Sequence, residues 1–368
     1  MAFSLPALPD WFSKKATSVL GVDIGTSSIK VVQLRREHGR VVLETYGAIA
    51  LGPYAGQEIG RATALPAEKI AEALKDVLRE ANVTTTDAAV AIPYSSSLVS
   101  VIKLPAGIEK NLATVVPIEA RKYIPVPINE VLLDWFMISD PKHPSPDGKI
   151  EVLLVAIHND TIAKFRSIMT ESQLLPSFFE IEVFSATRAA LDHGLAPVAV
   201  VDMGAATTKF YVVERGIIRE SHIINQGAQN LTLAASRALG ISVAQAEERK
   251  RKWGLNDPPP TPGAAPGPSL KQSLELTLSP LVAEVARTAL GWEQRANQAL
   301  STVVLVGGGA TLKGLQDFLR GKIQNEVRLG DPFGKTQAPA FLESILKEAG
   351  PEFSVAVGLA LRRLQELG

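Results

Sequence analysis

Cysteine is absent from the 368 residues. That excludes disulfides, zinc–thiolate sites and a cysteine nucleophile, and it fits a reducing compartment. An excess of one charge is absent too, because 38 lysines and arginines balance 38 aspartates and glutamates. No chain-wide field draws the protein to nucleic acid, and no nucleic-acid partner is expected. Long apolar runs are also missing: none approaches the roughly 18 residues of a spanning helix. Residues 1–18 carry Pro6, Pro9 and Asp10 and have no lysine or arginine before Lys14. They lack the charged start and continuous apolar stretch of a signal peptide. The five histidines (His38, His143, His158, His193 and His222) are scattered without ligand spacing, so structural or surface roles are expected of them. What remains is ordinary globular composition, 46% hydrophobic and 21% charged, in a chain long enough for two or three domains. A soluble, multidomain, cytoplasmic protein is expected.

Two β-rich runs, 19–22 and 29–34, flank a turn of small residues and read as a hairpin. A further strand is expected over 40–50, a helix over 66–80 from the spacing of Ile70, Leu74, Val77 and Leu78, and a buried strand over 88–93. The next segment, about 95–160, differs in character. It has strand-like runs at 99–105, 131–138 and 151–157 and a helix over 111–123, with a turn at 140–148 that carries Pro141, Pro144 and Pro146. Helical patterning follows at 160–173 and 185–191. At Pro197 the opening theme returns. Val201-Asp202-Met203-Gly204 aligns without gaps under Val22-Asp23-Ile24-Gly25, with Thr207 under Ser28 and Lys209 under Lys30. Two copies of strand, Asp-x-Gly, small residues, strand point to a chain built from two related halves. Helices are expected at 231–240, 243–253 and 270–300, with a flexible loop of six prolines at 256–268 between the last two. A buried strand at 303–306 leads into Gly307-Gly308-Gly309, with helices expected at 311–319 and 353–367. Ala356, Gly358 and Ala360 would form the close-packing side of the last.

Three glycine-bearing turns thus follow buried strands. Backbone N–H groups cradle a phosphate chain only at close range, which glycine permits. Gly25 and Gly204 allow such turns, Thr26, Ser27, Ser28 and Thr207 add hydroxyl donors, and Lys30 can neutralise a β- or γ-phosphate. Asp23 and Asp202 accept but do not donate, so they suit Mg²⁺ reached through water, since that ion keeps several waters. Gly307, Gly308 and Gly309 would let a nucleoside lie against the backbone. Taken singly, each turn reads as a hairpin or a tight junction; in this order they read as a nucleotide pocket. Other phosphate motifs fail: Leu312 stands where a dinucleotide fingerprint needs a small residue, and Leu315-Gln316 where a P-loop needs Lys-Ser/Thr.

These turns resemble, in order, the phosphate-1, phosphate-2 and adenosine motifs of the actin/Hsp70/sugar-kinase superfamily. Within it, Leu20 through Lys30, Ile118-Glu119-Ala120-Arg121-Lys122-Tyr123-Ile124-Pro125-Val126-Pro127, Glu130 through Trp135 and the run 304–312 resemble the PilM family of type IV pilus assembly. The resemblance implies an α/β, actin-like ATPase fold of two duplicated lobes, with the 1C subdomain that PilM shares with FtsA inserted in the first. It implies an N-terminal extension (1–17), subdomain 1A in two parts (18–90 and 161–196), 1C (91–160), and 2A in two parts (197–226 and 301–335). Subdomain 2B (227–300) would carry the proline-rich loop 256–268, and 336–368 would return to 1A. ATP and Mg²⁺ would bind between the lobes, contacted by Gly25, Thr26, Ser27, Ser28, Lys30, Gly204, Ala205, Thr207, Gly307, Gly308, Gly309 and Thr311, with Asp23 and Asp202 on the metal.

Glu182 matches the position that orients water in hydrolysing relatives, but Val183 replaces the proline usual after it, which implies weak ATPase activity at most. Glu247 and Lys250 match the adenosine-side helix; the alternative for both is the solvated face of a charged helix. The implied partner is the cytoplasmic N-terminal tail of a PilN-like inner-membrane protein, held between 1A and 1C. Tyr123, Ile124 and Val126 are the groove candidates, with burial in the 1C core as their alternative. Contact with pilus motor ATPases and weak self-association go with that role, as does a cytoplasmic location that is peripheral at the inner membrane through the partner. Rival readings are an FtsA-like division protein, a type II secretion adaptor, and a small-molecule kinase using Glu182 as base. The first normally ends in an amphipathic membrane helix and the second in a spanning segment, neither evident after Leu367, and 91–160 does not look like a sugar pocket.

Overall fold

The computed structural model describes residues 17–139, 148–192, 194–256 and 269–368. The expected N-terminal extension (apart from Thr17), most of the turn at 140–148 with His143, His193, and the proline-rich loop after Asn256 lie outside the described residues.

The first half opens with β1 (Ser18–Ile24), β2 (Ser28–Glu37) and β3 (Arg40–Ala50), an antiparallel meander, followed by α1 (Ala67–Glu80) and β4 (Asp87–Ile92). Then come β5 (Ser97–Pro105), α2 (Leu112–Ala120), β6 (Val131–Met137) and β7 (Lys149–His158), and after them α3 (Asn159–Glu171), β8 (Leu175–Ile181) and α4 (Glu182–Ala190). The second half runs β9 (Val198–Met203), β10 (Thr208–Glu214), β11 (Ile217–Ile224), α5 (Ala228–Leu239), α6 (Val243–Trp253), α7 (Leu270–Ala296) and β12 (Thr302–Val306). It closes with α8 (Leu315–Arg320), β13 (Glu326–Leu329), α9 (Glu343–Ala349) and α10 (Ser354–Glu366).

The duplication read from the sequence is a duplication of topology. One sheet has strand order β3-β2-β1-β4-β8 and the other β11-β10-β9-β12-β13. In each, a hairpin meander pairs antiparallel while the last three strands of the order run parallel. Strand β1 is buried beyond Ser18 because both faces are covered. Leu20 and Val22 meet Ile70, Leu74 and Val77 of α1, whereas Val19 meets Ala356, Val357 and Ala360 of α10. Helix α10 approaches α4 so closely that a Cβ on Gly358 would lie 1.9 Å from the Ser185 carbonyl oxygen, as its small-residue side implied. The remaining strands form a separate sheet, β5-β7-β6, with its own apolar core including Ile102, Val116, Ile124 and Leu154.

Three strands have no counterpart in the sequence reading: β8, β11 and β13. All are sheet edges. Strand β8 starts Leu-Pro-Ser and β11 carries Arg-Glu-Ser-His, so neither shows the apolar pattern of a central strand. Helix boundaries moved where local geometry intervened. Helix α2 ends at Ala120, where i→i+3 bonds take over, from Lys122 N–H to Glu119 O and Tyr123 N–H to Ala120 O. Helix α8 waits until Leu315, after a left-handed Gly314, and α7 stops at Ala296 before a left-handed Asn297. Helix α4 starts at Glu182, three residues earlier than its apolar spacing suggested. No helix among the described residues is long and apolar enough to cross a membrane.

Candidate functional site

The two turns of the repeat fold alike. Gly25 N–H donates to Ser28 O at 3.0 Å, and Gly204 N–H donates to Thr207 O at 3.0 Å. Each turn joins two antiparallel strands whose register sets an aspartate opposite a lysine, Asp23 with Lys30 and Asp202 with Lys209. The third wall is the turn after β12. Gly307 has φ +85°, and a Cβ there would lie 2.3 Å from Asp202 Oδ1, so glycine is required on both counts. Its N–H donates to Pro351 O at 2.8 Å, which ties the turn to the segment leading into α10. Together the walls enclose a cavity of about 110 Å³ that reaches Asp23, Lys30, Glu182, Asp202, Lys209 and Glu352.

Charge inside this cavity is unevenly matched. The Lys209 ammonium donates to Glu182 Oε2 at 2.8 Å and to Asp202 Oδ2 at 2.9 Å. The other Glu182 oxygen accepts from Tyr94 N–H at 2.7 Å. Burial would release the Lys209 proton, but the two carboxylates outweigh it and hold its pKa above the ordinary lysine range. Asp23 and Lys30 are just as buried, 8% and 9% exposed, yet neither makes a hydrogen bond or ion pair among the described residues. Burial pushes the Asp23 carboxyl up to about 6, with the Lys30 ammonium as the largest opposing influence. The Lys30 ammonium opens on the cavity with no protein counter-charge in hydrogen-bond reach among the described residues, which leaves it available to an anionic ligand. Among the described residues no three His, Asp or Glu side chains are grouped as direct metal ligands. A divalent ion held through water remains compatible with the donors present, Asp23 being unpaired and Asp202 keeping one oxygen clear of Lys209.

A wider cleft of about 570 Å³ continues from Ser27, Ser28, Ala205 and Gly308 toward α6 and α9. Gly309 and Thr311 line it on one side, Glu247 and Lys250 on another. The last two are not a solvated face. Glu247 is 6% and Lys250 7% exposed. Lys250 Nζ lies 2.6 Å from Glu247 Oε2, and Thr232 Oγ1 donates to the same oxygen at 2.6 Å. Arg251 Nε adds a bond to Glu247 Oε1 at 2.7 Å. Burial raises the Glu247 carboxyl, but Lys250 and these hydrogen bonds overcome it and hold it at about 2. Burial also lowers the Lys250 pKa, with Glu247 opposing.

The segment between β3 and α1 crosses the cleft. Glu58 Oε2 accepts from Val243 N–H at 2.9 Å, and Ala62 N–H donates to Gln229 Oε1 at 3.0 Å. The sheet β5-β7-β6 touches the second half as well, through Arg219 Nη1 to Glu151 Oε2 at 2.6 Å.

All the nucleotide- and metal-site residues that the sequence reading named line these two adjoining cavities. Lys209, Glu352, Gln229 and Glu58 were missed as site residues. Lys209 had a signal, its position under Lys30 in the repeat; the others arrive from segments without a motif. Of the groove candidates, Ile124 is buried in the core of the small sheet, Val126 packs against that core, and Tyr123 is 44% exposed.

Comparison with known proteins places this geometry in a family. A family model described as type IV pilus assembly protein PilM matches residues 21–364. The cell division protein FtsA of Rhizobium meliloti (strain 1021) is 27% identical over 185 residues, 44% of this chain but only 39% of FtsA's length. Among solved structures, the PilM-PilN type IV pilus biogenesis complex has a chain with TM-score 0.78 at 24% identity, covering 94% of this chain and 98% of that one. MreB 5 of Spiroplasma citri, bound to AMPPNP, superposes with TM-score 0.51 at 11% identity, covering 95% and 97%. The two like sheets around the cleft are those of the actin-like ATPase fold, and with a family match running over nearly its whole length the chain belongs to the PilM family of type IV pilus assembly proteins.

Proposed function

We propose that the chain is an ATP-binding adaptor of the pilus assembly platform that docks the cytoplasmic N-terminal tail of a PilN-like membrane protein. The observation that carries the nucleotide half is Lys30, whose ammonium opens on the cavity without a protein partner, beside a duplicated pair of turns. The phosphates would lie against Lys30, the turn N–H groups and the hydroxyls of Thr26, Ser27, Ser28 and Thr207. The nucleoside would occupy the wider cleft between Glu247, Lys250 and the 308–311 turn. Mg²⁺ accompanying the nucleotide would be reached through water by Asp23 and Asp202 and would offset phosphate charge. Glu182 already accepts one hydrogen bond on each oxygen, so slow turnover goes with this arrangement.

Support for the partner half comes from the small sheet, read as subdomain 1C over 91–160. Strand β6 is an edge of that sheet and exposes Leu132 (55%) and Phe136 (67%) on one face. An extended peptide suits an exposed strand edge flanked by apolar side chains. The solved PilM-PilN complex, similar in fold, makes a PilN-like tail the first partner to try. The Arg219–Glu151 pair joins 1C to the second lobe, so closing the lobes on ATP would be felt at the docking site, and the coupling would be reciprocal. Through this partner the chain would sit at the cytoplasmic face of the inner membrane.

Titration calorimetry with ATP, and then with a synthetic tail peptide with and without ATP, tests the reading. ATP should bind the wild type, and Lys30→Met should weaken it at least about tenfold, ~1.4 kcal/mol. Equal affinity in the two proteins would remove Lys30 from the phosphate site. Absence of ATP binding in the wild type would overturn the nucleotide reading, and absence of peptide binding the partner reading.

A further inference from the structure

The two adjoining cavities meet at a neck. Ser27, Ser28, Ala205, Gly308 and Glu352 line both of them, and Glu352 is the charged member of that set. Its position is fixed by the backbone just before α10. Gly307 N–H donates to Pro351 O at 2.8 Å, and Ser354 Oγ donates to the same carbonyl at 3.0 Å. The side chain lies beside Gly308, where an added Cβ would sit 3.7 Å from Glu352 Oε2. The residue is half-buried, and its carboxylate makes no hydrogen bond or ion pair among the described residues. The other acids of the two cavities are engaged or lie away from the neck. Glu247 holds Lys250 and Thr232 on one oxygen and Arg251 on the other, and Glu182 accepts on both of its oxygens. Asp23 and Asp202 line only the smaller cavity, and Glu348, 72% exposed, only the wider one.

The covalent order of a nucleotide decides what Glu352 meets. With the phosphates at Lys30 in the smaller cavity and the nucleoside in the wider cleft, the sugar that joins them lies at the neck. A carboxylate only accepts hydrogen bonds, so it repels a phosphate oxygen and suits hydroxyls. A ribose offers two hydroxyls on adjacent carbons, which match the two unengaged oxygens of one carboxylate. We propose that Glu352 is the sugar-recognition residue of the cleft, accepting from the 2′- and 3′-hydroxyls of the bound nucleotide and selecting ribonucleotides over their deoxy analogues. The inference rests on the ATP-binding reading and deepens it. Bonds to an ionised acceptor are the stronger kind, and a site built around a hydroxyl rejects the analogue that lacks it.

Titration calorimetry of the full chain with ATP and with 2′,3′-dideoxy-ATP, both in excess Mg²⁺, tests this. The wild type should bind ATP at least about tenfold tighter than the dideoxy analogue, ~1.4 kcal/mol. Glu352→Ala should weaken ATP at least about tenfold and leave the dideoxy analogue within about threefold of its wild-type affinity. Glu352→Gln keeps the size of the side chain and one acceptor, so its preference should fall between the two, and it serves where the alanine variant does not fold. A wild type that binds both nucleotides within about threefold overturns the sugar role and leaves the ATP reading standing. So does a variant that keeps the full wild-type preference, or one weakened equally toward both nucleotides. No binding of either nucleotide by the wild type overturns both readings.

Discussion

Glu247 and Lys250 form a buried ion pair on the wall of the wider cleft, so they can serve stability, nucleotide binding or both, and a set of three variants separates these roles. Glu247→Gln leaves the Lys250 ammonium 7% exposed with only Thr232 Oγ1 at 2.8 Å and Ala228 O at 3.3 Å near it. Breaking a buried pair in this way costs roughly 3–5 kcal/mol. Lys250→Met leaves the carboxylate with Arg251 Nε at 2.7 Å and Thr232 Oγ1 at 2.6 Å, so it should cost less. The double variant Glu247→Leu, Lys250→Met removes both charges and fills the space with apolar side chains, and such replacements are often neutral. Urea unfolding at pH 7 should therefore show a strongly destabilised Glu247→Gln, a smaller loss in Lys250→Met and a double variant within about 1–2 kcal/mol of the wild type.

The pH dependence has a definite sign. Glu247 moves from an ordinary 4.5 down to about 2 on folding, worth about 3 kcal/mol. That contribution is fully present above pH 4.5 and is lost as pH falls toward 2, so the gap between wild type and Glu247→Gln should close over that window. ATP calorimetry on the double variant then isolates the binding role, because stability recovers while the polar wall does not; affinity should stay at least about tenfold weaker. A Glu247→Gln variant that loses under about 1 kcal/mol would show a solvated pair with no buried role. A double variant as unstable as the two singles combined would refute the pair as a unit.

Other consequences can be checked separately. Gly307→Ala puts a Cβ 2.3 Å from Asp202 Oδ1 at φ +85°, which should cost at least about 1–3 kcal/mol in urea unfolding and weaken ATP binding; a variant equal to wild type in both would refute the close-approach account. Phosphate release should run well below the enzyme median of about 10 per second, and rapid turnover unaffected by Glu182→Gln would refute the engaged-carboxylate argument. Replacing residues 258–268 by a short Gly-Ser linker should leave tail-peptide binding, read by fluorescence anisotropy, within about threefold, ~0.7 kcal/mol. Removing residues 95–158 should eliminate that binding, and the reverse pattern would move the partner to the other lobe.

The two Asp-x-Gly turns were legible in the sequence because their determinants are local. Asp, Gly and small residues between two apolar strands close a turn by their own Gly25–Ser28 and Gly204–Thr207 bonds, wherever the rest of the chain lies. The central strands β1, β4, β9 and β12 were legible for the same reason, since a strand covered on both faces must read as an apolar run. Their repetition announced two like halves. Edge strands β8, β11 and β13 were not legible, because an edge becomes a strand through the neighbour it pairs with and can be as polar as solvent allows.

Charge placement was decided by tertiary structure throughout. From sequence Glu247 and Lys250 could be a wet helix face; Thr232 and the crossing segment around Gly60 bury them. Lys209 could be counted in the repeat, but its bond to Glu182 depends on where α4 begins. Glu58 meets Val243 only because the first lobe's loop reaches over the cleft. Hydrophobic periodicity and turn chemistry act over a few residues, whereas the charge state of a buried group depends on every element packed around it.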